Sequence, residues 1–271
     1  MKIVTSAENP AVLEVRRLER DRKERDRKGV YLAWGLHLAG EALSAGAAIE
    51  RAFVDSSGRS KAEMESLIAR LETRGTSIVQ VTARVLDAMA EGAGDQGVLL
   101  VLRRPDGSLD TAIASGATLV LVAHGVQDPG NLGSMARSAL ACGAGALVAA
   151  EGCADPFSSK VVRAAMGAHG RMPLIGERSD RALATLREAG FLVAAAEPGG
   201  GKRPDAVDLT RKVALLLGSE GGGLPPAILR GATERIRIPM SPSSSSFNVA
   251  AAAAILLYEI QRQRGFPVGP S

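Results

Sequence analysis

The chain reads as an α/β protein in which a mostly parallel sheet, covered by helices on both faces, follows a smaller N-terminal α/β domain. Three observations predict this. Short apolar runs alternate with helix-period segments, which is the pattern of layered α/β folds. From residue 118 onward the runs are continuously apolar, as strands buried on both faces must be. Finally, 271 residues at 46% hydrophobic and 23% charged can fill the cores of two ordinary domains.

Asn9-Pro10 followed by Val12, Val15 and Leu18 at helical spacing opens the chain and leads into a dense run of charge. Between Glu14 and Lys28 stand eight basic residues (Arg16, Arg17, Arg20, Arg22, Lys23, Arg25, Arg27, Lys28) against five acids. Two readings stay open for this run: a solvated helix face laced with ion pairs, or a contact for the RNA backbone. The strand-like segments Val30–Ala33, Ala52–Asp55, Ser77–Val81 and Gly97–Leu102 follow, with a helix expected over Ala62–Arg74. Arg103-Arg104-Pro105-Asp106-Gly107-Ser108 is polar and rich in turn formers, which sets the expected domains at 1–105 and 116–271, with a linker over 106–115.

The second domain begins with the strand Thr118–Ala123, the turn Asp128–Asn131 and a helix to about Cys142. Strands over Ala146–Ala149, Pro173–Ile175, Phe191–Ala195 and Val213–Leu217 follow, separated by helices over Ser158–Ala168 and Arg181–Ala189. A strand-like segment from Arg235 to Pro239 precedes a serine-rich loop and an Ala-rich helix from Val249 to about Arg264. That helix is apolar almost all round until Tyr258, more than the solvent-facing surface of a monomer should carry.

Composition excludes several classes. No uncharged apolar run is long enough for a membrane span, since Glu259 and the arginines after it put the end of the last helix in water. The opening residues lack the apolar core and cleavage site of a signal peptide, so a cytoplasmic protein is expected. Cys142 and Cys153 read as buried thiols and not as a disulfide, and His37, His124 and His169 share no ligand spacing, so no metal is expected. A net charge of +4 points only weakly to a polyanionic partner.

Three loops at strand ends stand out, because ligands of parallel sheets gather there. Gly218-Ser-Glu-Gly-Gly-Gly223 allows close backbone approach but lacks both the Lys-Ser/Thr of a phosphate loop and the spacing of a dinucleotide fingerprint. Glu220, an acid among glycines, is expected to have a specific hydrogen-bonding task. Asn131-Leu-Gly-Ser-Met-Ala-Arg137 sets a guanidinium on a helix of small and apolar residues, where it calls for an anionic partner. The third loop is Ile238-Pro-Met-Ser-Pro-Ser-Ser-Ser-Ser-Phe-Asn-Val249.

Together the three stretches resemble the motifs of the SpoU family of RNA ribose 2′-O-methyltransferases. Asn131-x-Gly133-x-x-x-Arg137 is similar to the first, Gly218-Ser-Glu220-Gly221 to the second, and Ile238-Pro239-Met240 with Ser246-Phe247-Asn248-Val249 to the third. Asp155 through Gly167 resembles the family segment between the first two, and Ser6-x-x-Asn9-Pro10 with the arginine-rich run resembles the appended RNA-binding domain. Departures occur at Ser245, where many members carry an acid, at Phe247, usually leucine, and at Trp34-Gly35, often Glu-Gly. Trp34 would thereby alter the N-terminal RNA contacts or mark a different RNA site.

The resemblance implies S-adenosylmethionine held at Leu217, Gly218, Ile238, Met240 and Phe247, in a domain whose C-terminal segment forms a trefoil knot. It implies that Arg137 binds the target phosphate and stabilises the transition state. A guanidinium holds its proton too firmly to act as a simple base, which favours anchoring and charge stabilisation by such a residue. Asn131 and Glu220 would orient Arg137 or the neighbouring loop, with Ser246 and Asn248 in the same pocket. It further implies a homodimer in which Arg137 serves the partner's cofactor. The full extra N-terminal domain favours ribosomal RNA as substrate. The alternatives are transfer RNA, or a catalytically silent RNA-binding protein of the same fold.

Overall fold

The fold is given by a computed structural model, which describes residues 3–55, 61–90, 97–244 and 246–266. In chain order it begins with α1 (Pro10–Arg20), α2 (Arg22–Lys28), β1 (Val30–Trp34), α3 (Leu36–Ser44) and β2 (Ile49–Asp55). Then come α4 (Lys61–Thr73), β3 (Ser77–Val81), α5 (Ala83–Met89), β4 (Val98–Arg103), α6 (Leu109–Ala114) and β5 (Leu119–Ala123). The middle of the chain supplies α7 (Pro129–Ala141), β6 (Ala146–Ala149), α8 (Ser159–Ala164), β7 (Leu174–Gly176), α9 (Ser179–Glu188) and β8 (Leu192–Ala196). It closes with β9 (Val213–Leu217), α10 (Pro226–Leu229), β10 (Glu234–Ile236) and α11 (Val249–Arg264). Two compact units result. One holds residues up to Pro105 together with Phe157–Gly170, the other Asp106–Pro156 with the chain from Arg171 onward.

In the first unit the sheet order is β1-β4-β2-β3, with β4 antiparallel to both neighbours and β3 parallel to β2. Val12, Val15 and Leu18 bury one stripe of α1 against Phe53, Met89 and Leu99. The charged run is two helices, not one, because Asp21 is extended and its carboxylate accepts from the Lys23 amide at the start of α2. Arg25 is buried and donates to the Leu18 and Glu19 carbonyls at 2.5 and 2.9 Å, satisfying groups that the end of α1 leaves unpaired.

Trp34 is a core residue of this unit, 2% exposed, and its indole N–H donates to Glu19 Oε2 at 3.2 Å. The same oxygen accepts from the Ser159 hydroxyl at 2.7 Å. A buried, satisfied indole offers no face to RNA, so the expectation of an RNA site at Trp34 is corrected. Phe157–Gly170, which the sequence reading put inside the 116–271 block, packs instead within this unit. The rings of Phe157 and His169 lie 5.8 and 5.5 Å from Tyr31, whose phenol burial pushes up to about 12.

The second unit is a six-stranded sheet, β10-β8-β9-β5-β6-β7, with every pairing parallel. Side chains alternate faces along a strand. Val120, Val122, Val148, Val193 and Leu216 therefore share one face, where they meet Leu109 and Ala112 of α6 and Leu183 and Leu186 of α9. Leu119, Leu121, Leu147 and Leu215 have the opposite parity, on the side where α7 and α11 pack against the sheet and each other. Burial of each such leucine contributes roughly 1.5–3 kcal/mol.

Residues 106–115 are not the expected linker. Ser108 and Thr111 form a reciprocal capping box, and the helix they start puts Leu109 and Ala112 into the core. The last strand is also shorter than the expected 235–239 segment, ending at Ile236 ahead of Pro239. Among the described residues no helix is long and apolar enough to cross a membrane.

Candidate functional site

The site is built at the carboxyl ends of β5, β9 and β10. After β5, Asp128 Oδ1 accepts from the Asn131 amide at 2.7 Å and caps α7, with Pro129 in the first helical position. After β9, Gly218 admits no side chain, because a Cβ there would stand 2.2 Å from the Gly223 carbonyl carbon. Ser219 and Gly223 exchange backbone hydrogen bonds at 3.2 and 3.0 Å, which closes a tight loop with Glu220 exposed upon it. After β10, the serine loop leads to Asn248, whose Oδ1 accepts from the Ala250 and Ala251 amides at 3.0 and 3.2 Å and caps α11.

Asn131 ties the three loops together. Its Nδ2 donates to Glu220 Oε1 at 2.5 Å, and its Oδ1 accepts from Asn248 Nδ2 at 3.0 Å. Residues 89 and 117 positions away are thereby joined by one amide. Glu220 does receive the specific hydrogen bond that its setting among glycines called for.

Beside this junction lies a cleft of about 510 Å³, within the usual range for small-molecule sites. Leu217, Gly218, Ile238, Met240 and Phe247 all line it, as do Glu220 and Ser246. Asn131 and Asn248 stand outside the lining, holding its loops. Ser241 and Ser243 bond each other at 2.8 Å and also lie outside it. Ser245, one of the departures from the family pattern, lies outside the described residues.

Arg137 is not part of this assembly. It is six residues beyond Asn131, about 240° around the helix, and so on another face of α7. Its side chain is exposed, and no hydrogen bond or ion pair reaches it among the described residues. Within one chain, Asn131 and Glu220 therefore orient each other's loops and not the arginine.

Two features escaped the sequence reading. Glu197, Pro198 and Gly199, which follow β8, form a further wall of the cleft. Their only signal was an acid at a strand end ahead of a Pro-Gly-Gly-Gly turn. The second is a polar cluster at the ends of β5 and β6 involving His124, whose place in the sequence gives no sign of it. Ser179 gives its hydroxyl proton to Glu151 Oε2 at 2.7 Å and its amide at 3.0 Å, so His124 Nδ1, 2.8 Å from Ser179 Oγ, must be the donor in that pair. Burial opposes ionisation of Glu151, but the Ser179 bonds, aided by His124, hold its carboxyl below the ordinary value.

Cys142 and Cys153 are free and only half-buried, not fully buried as expected, and burial pushes both thiols up. No group of metal-ligating side chains occurs among the described residues.

Comparison with known proteins bears on this geometry. Residues 118–258 match the SpoU rRNA Methylase family, and residues 9–100 match the MRM3-like substrate binding domain. The chain is 30% identical to the Bacillus subtilis 23S rRNA (guanosine(2553)-2′-O)-methyltransferase RlmP, over 96% of this chain and all of that one. It is 32% identical to the Bordetella pertussis 23S rRNA (guanosine-2′-O-)-methyltransferase RlmB, covering 80% and 90% of the two chains. Among solved structures, the AdoMet-bound rRNA methyltransferase from Sinorhizobium meliloti is similar with a TM-score of 0.83 and 31% identity, over 96% and 97% of the chains. AviRb from Streptomyces viridochromogenes, in complex with AdoMet, gives 0.82 and 27%, over 94% and 98%.

Proposed function

The chain belongs to the SpoU methylase family, and from that premise we propose that it is an S-adenosylmethionine-dependent methyltransferase that methylates a ribose 2′-OH in ribosomal RNA. The observation that carries this reading is the junction at Asn131, which draws the three motif loops around one cleft. The names of RlmP and RlmB support ribosomal RNA over transfer RNA.

The cleft fits the cofactor on its own chemistry. Leu217, Ile238, Met240 and Phe247 offer apolar surface for an adenine, and Gly218 keeps the loop backbone close enough to meet its polar edge. When bound, S-adenosylmethionine supplies a methyl group on a sulfonium, an excellent leaving group. The residues here have the remaining tasks of holding the sugar in line and stabilising the oxyanion that forms as the 2′-OH loses its proton. Glu220 and Ser246 line the cleft where polar contacts with the substrate are needed.

Arg137 anchors the target phosphate and stabilises the developing charge. Its lack of a partner among the described residues supports a homodimer in which it reaches the second copy's cleft. Exposed Ile255 and Tyr258 on α11, which packs against α7, favour the same interface. The segment from Ile238 through α11 is the threaded part of a trefoil knot in this reading, residues 1–105 bind the RNA, and the protein acts in the cytoplasm.

Isothermal titration with S-adenosylhomocysteine, paired with mapping of ribose methylation in ribosomal RNA from cells with and without the protein, tests the proposal. Cofactor binding and one lost methylated nucleotide are expected. Binding without any lost methylation would favour a silent RNA-binding protein, and absent binding would overturn the reading of the cleft.

A further inference from the structure

Glu197 is the one carboxylate on the β8 side of the cleft, and the reading above leaves it without a task. It follows the last residue of β8, where its amide donates to the Ile236 carbonyl at 2.9 Å and fixes its backbone against β10. Its Oε2 is buried and has no hydrogen-bond donor among the described residues, although the Arg235 guanidinium sits 3.5 Å away. The Arg235 side chain is half exposed, so this ion pair is loose and does not occupy the carboxylate's lone pairs.

The Glu197 side chain as a whole is 28% exposed and lines the cleft, so its carboxylate, with acceptor capacity left over, can take a donor that arrives with a ligand. The position is informative as well. Glu197 ends the strand adjacent to β9, whose own end carries the glycine loop. An acid at the end of one parallel strand, beside a glycine-rich loop at the end of its neighbour, is the arrangement by which dinucleotide folds grip a ribose diol. The two hydroxyls of a vicinal diol are spaced to donate to one carboxylate, which the single hydroxyl of a deoxyribose cannot do. Resting on the assignment of the cleft to S-adenosylmethionine, we propose that Glu197 accepts hydrogen bonds from the cofactor's ribose diol and thereby selects for a ribonucleoside cofactor. No residue of the three motif loops contributes a second carboxylate on that wall. Glu220, the other acid in the lining, is engaged with Asn131.

The competing ligand group for a carboxylate is the methionine ammonium. Titrations of the full-length protein separate the two, using S-adenosylhomocysteine, its 2′-deoxy and 3′-deoxy analogues, and 5′-methylthioadenosine, which keeps the diol but lacks the amino acid. Glu197→Ala should weaken S-adenosylhomocysteine by about ten- to a hundredfold, the range for hydrogen bonds to a charged group. It should weaken 5′-methylthioadenosine equally. Each deoxy analogue should bind wild type correspondingly worse yet lose little more on Glu197→Ala, giving a non-additive double-mutant cycle. Glu197→Gln, which keeps acceptor oxygen and shape, should recover part of the loss, and circular dichroism should show both variants folded. Additive losses would overturn the proposal, and so would a loss confined to ligands that carry the ammonium. Ile238→Glu provides the control for the cleft itself, since a charge on its apolar wall should abolish binding. If S-adenosylhomocysteine still bound to Ile238→Glu, the cleft assignment would fail whatever Glu197 did.

Discussion

The cations of residues 14–28 and the single cation of α7 have opposite fates. In the first region density of charge leads to partial self-neutralisation. Lys28 and Arg51 both pair with Glu14, Arg27 with Glu24, and Arg22 and Arg104 with Asp26, while Arg25 is spent on the carbonyls that end α1. Arg137, alone among Ala, Ser and Leu, has no acid within one helical turn and none from any other described element. A charge run on a helix therefore says less about a polyanionic partner than its count of cations suggests, because its own acids pair with at least three of the eight and tie down Arg51 and Arg104 as well. An isolated arginine on an apolar helix says more, since it remains available to a phosphate or to a second copy of the chain.

The sharpest way to break this contrast is Arg137→Ala. If the unpaired guanidinium serves the transition state, the variant should lose about two to three orders of magnitude in single-turnover methylation rate, as is typical for removal of one charge-stabilising donor. Its affinity for S-adenosylhomocysteine should stay largely unchanged, because Arg137 is assigned to the target phosphate and does not line the cleft of its own chain. Survival of the rate would make Arg137 an ordinary surface residue and remove its role in this reading.

At the other end of the same helix, Asn131→Ala should give the reverse pattern. The substitution leaves the Asp128 cap in place but unties Glu220 and Asn248 from each other. Two hydrogen bonds of about 0.5–1.5 kcal/mol each then no longer hold the loops. Calorimetry should show S-adenosylhomocysteine affinity reduced by about tenfold. Equal loss from Asn131→Ala and Arg137→Ala in the binding assay would erase the distinction between the two ends of α7.

How far the sequence reveals these features depends on the range of the interaction. The strands Leu119–Ala123 and Val213–Leu217 are legible because burial on both faces demands continuous apolar runs. α6 is not, since six residues after a polar turn look like linker until Leu109 and Ala112 are seen in the core. The link from Asn131 to Glu220 and Asn248 spans 89 and 117 residues with no periodicity to betray it, so only the motif resemblance brought those residues together. Trp34 misled for the opposite reason. Standing where the family often has an acid, it suggests a change at the RNA contacts, yet it is a core residue, and the carboxylate beside it comes from Glu19 on α1. Phe157–Gly170 likewise follows its packing and not its place in the chain.

The smallest expected effect tests the paired side of the contrast. Hydrogen bonding from Lys28 holds the Glu14 carboxyl below its usual value, with Arg51 adding to the effect against partial burial. A depressed folded-state pKa contributes stability that is present above the unfolded carboxylate value, about 4.3, and is lost as pH falls through the folded value. Glu14→Gln should therefore destabilise the first unit at pH 7, by no more than about 1 kcal/mol because the pair is one-third exposed. Chemical denaturation from pH 7 down to pH 3 should show the gap to wild type constant until about pH 5 and closing below about pH 4. A gap that persists into acid would mean that Glu14 acts through packing alone. The cations around it would then be held by something other than their acids, and the contrast with Arg137 would lose its physical basis.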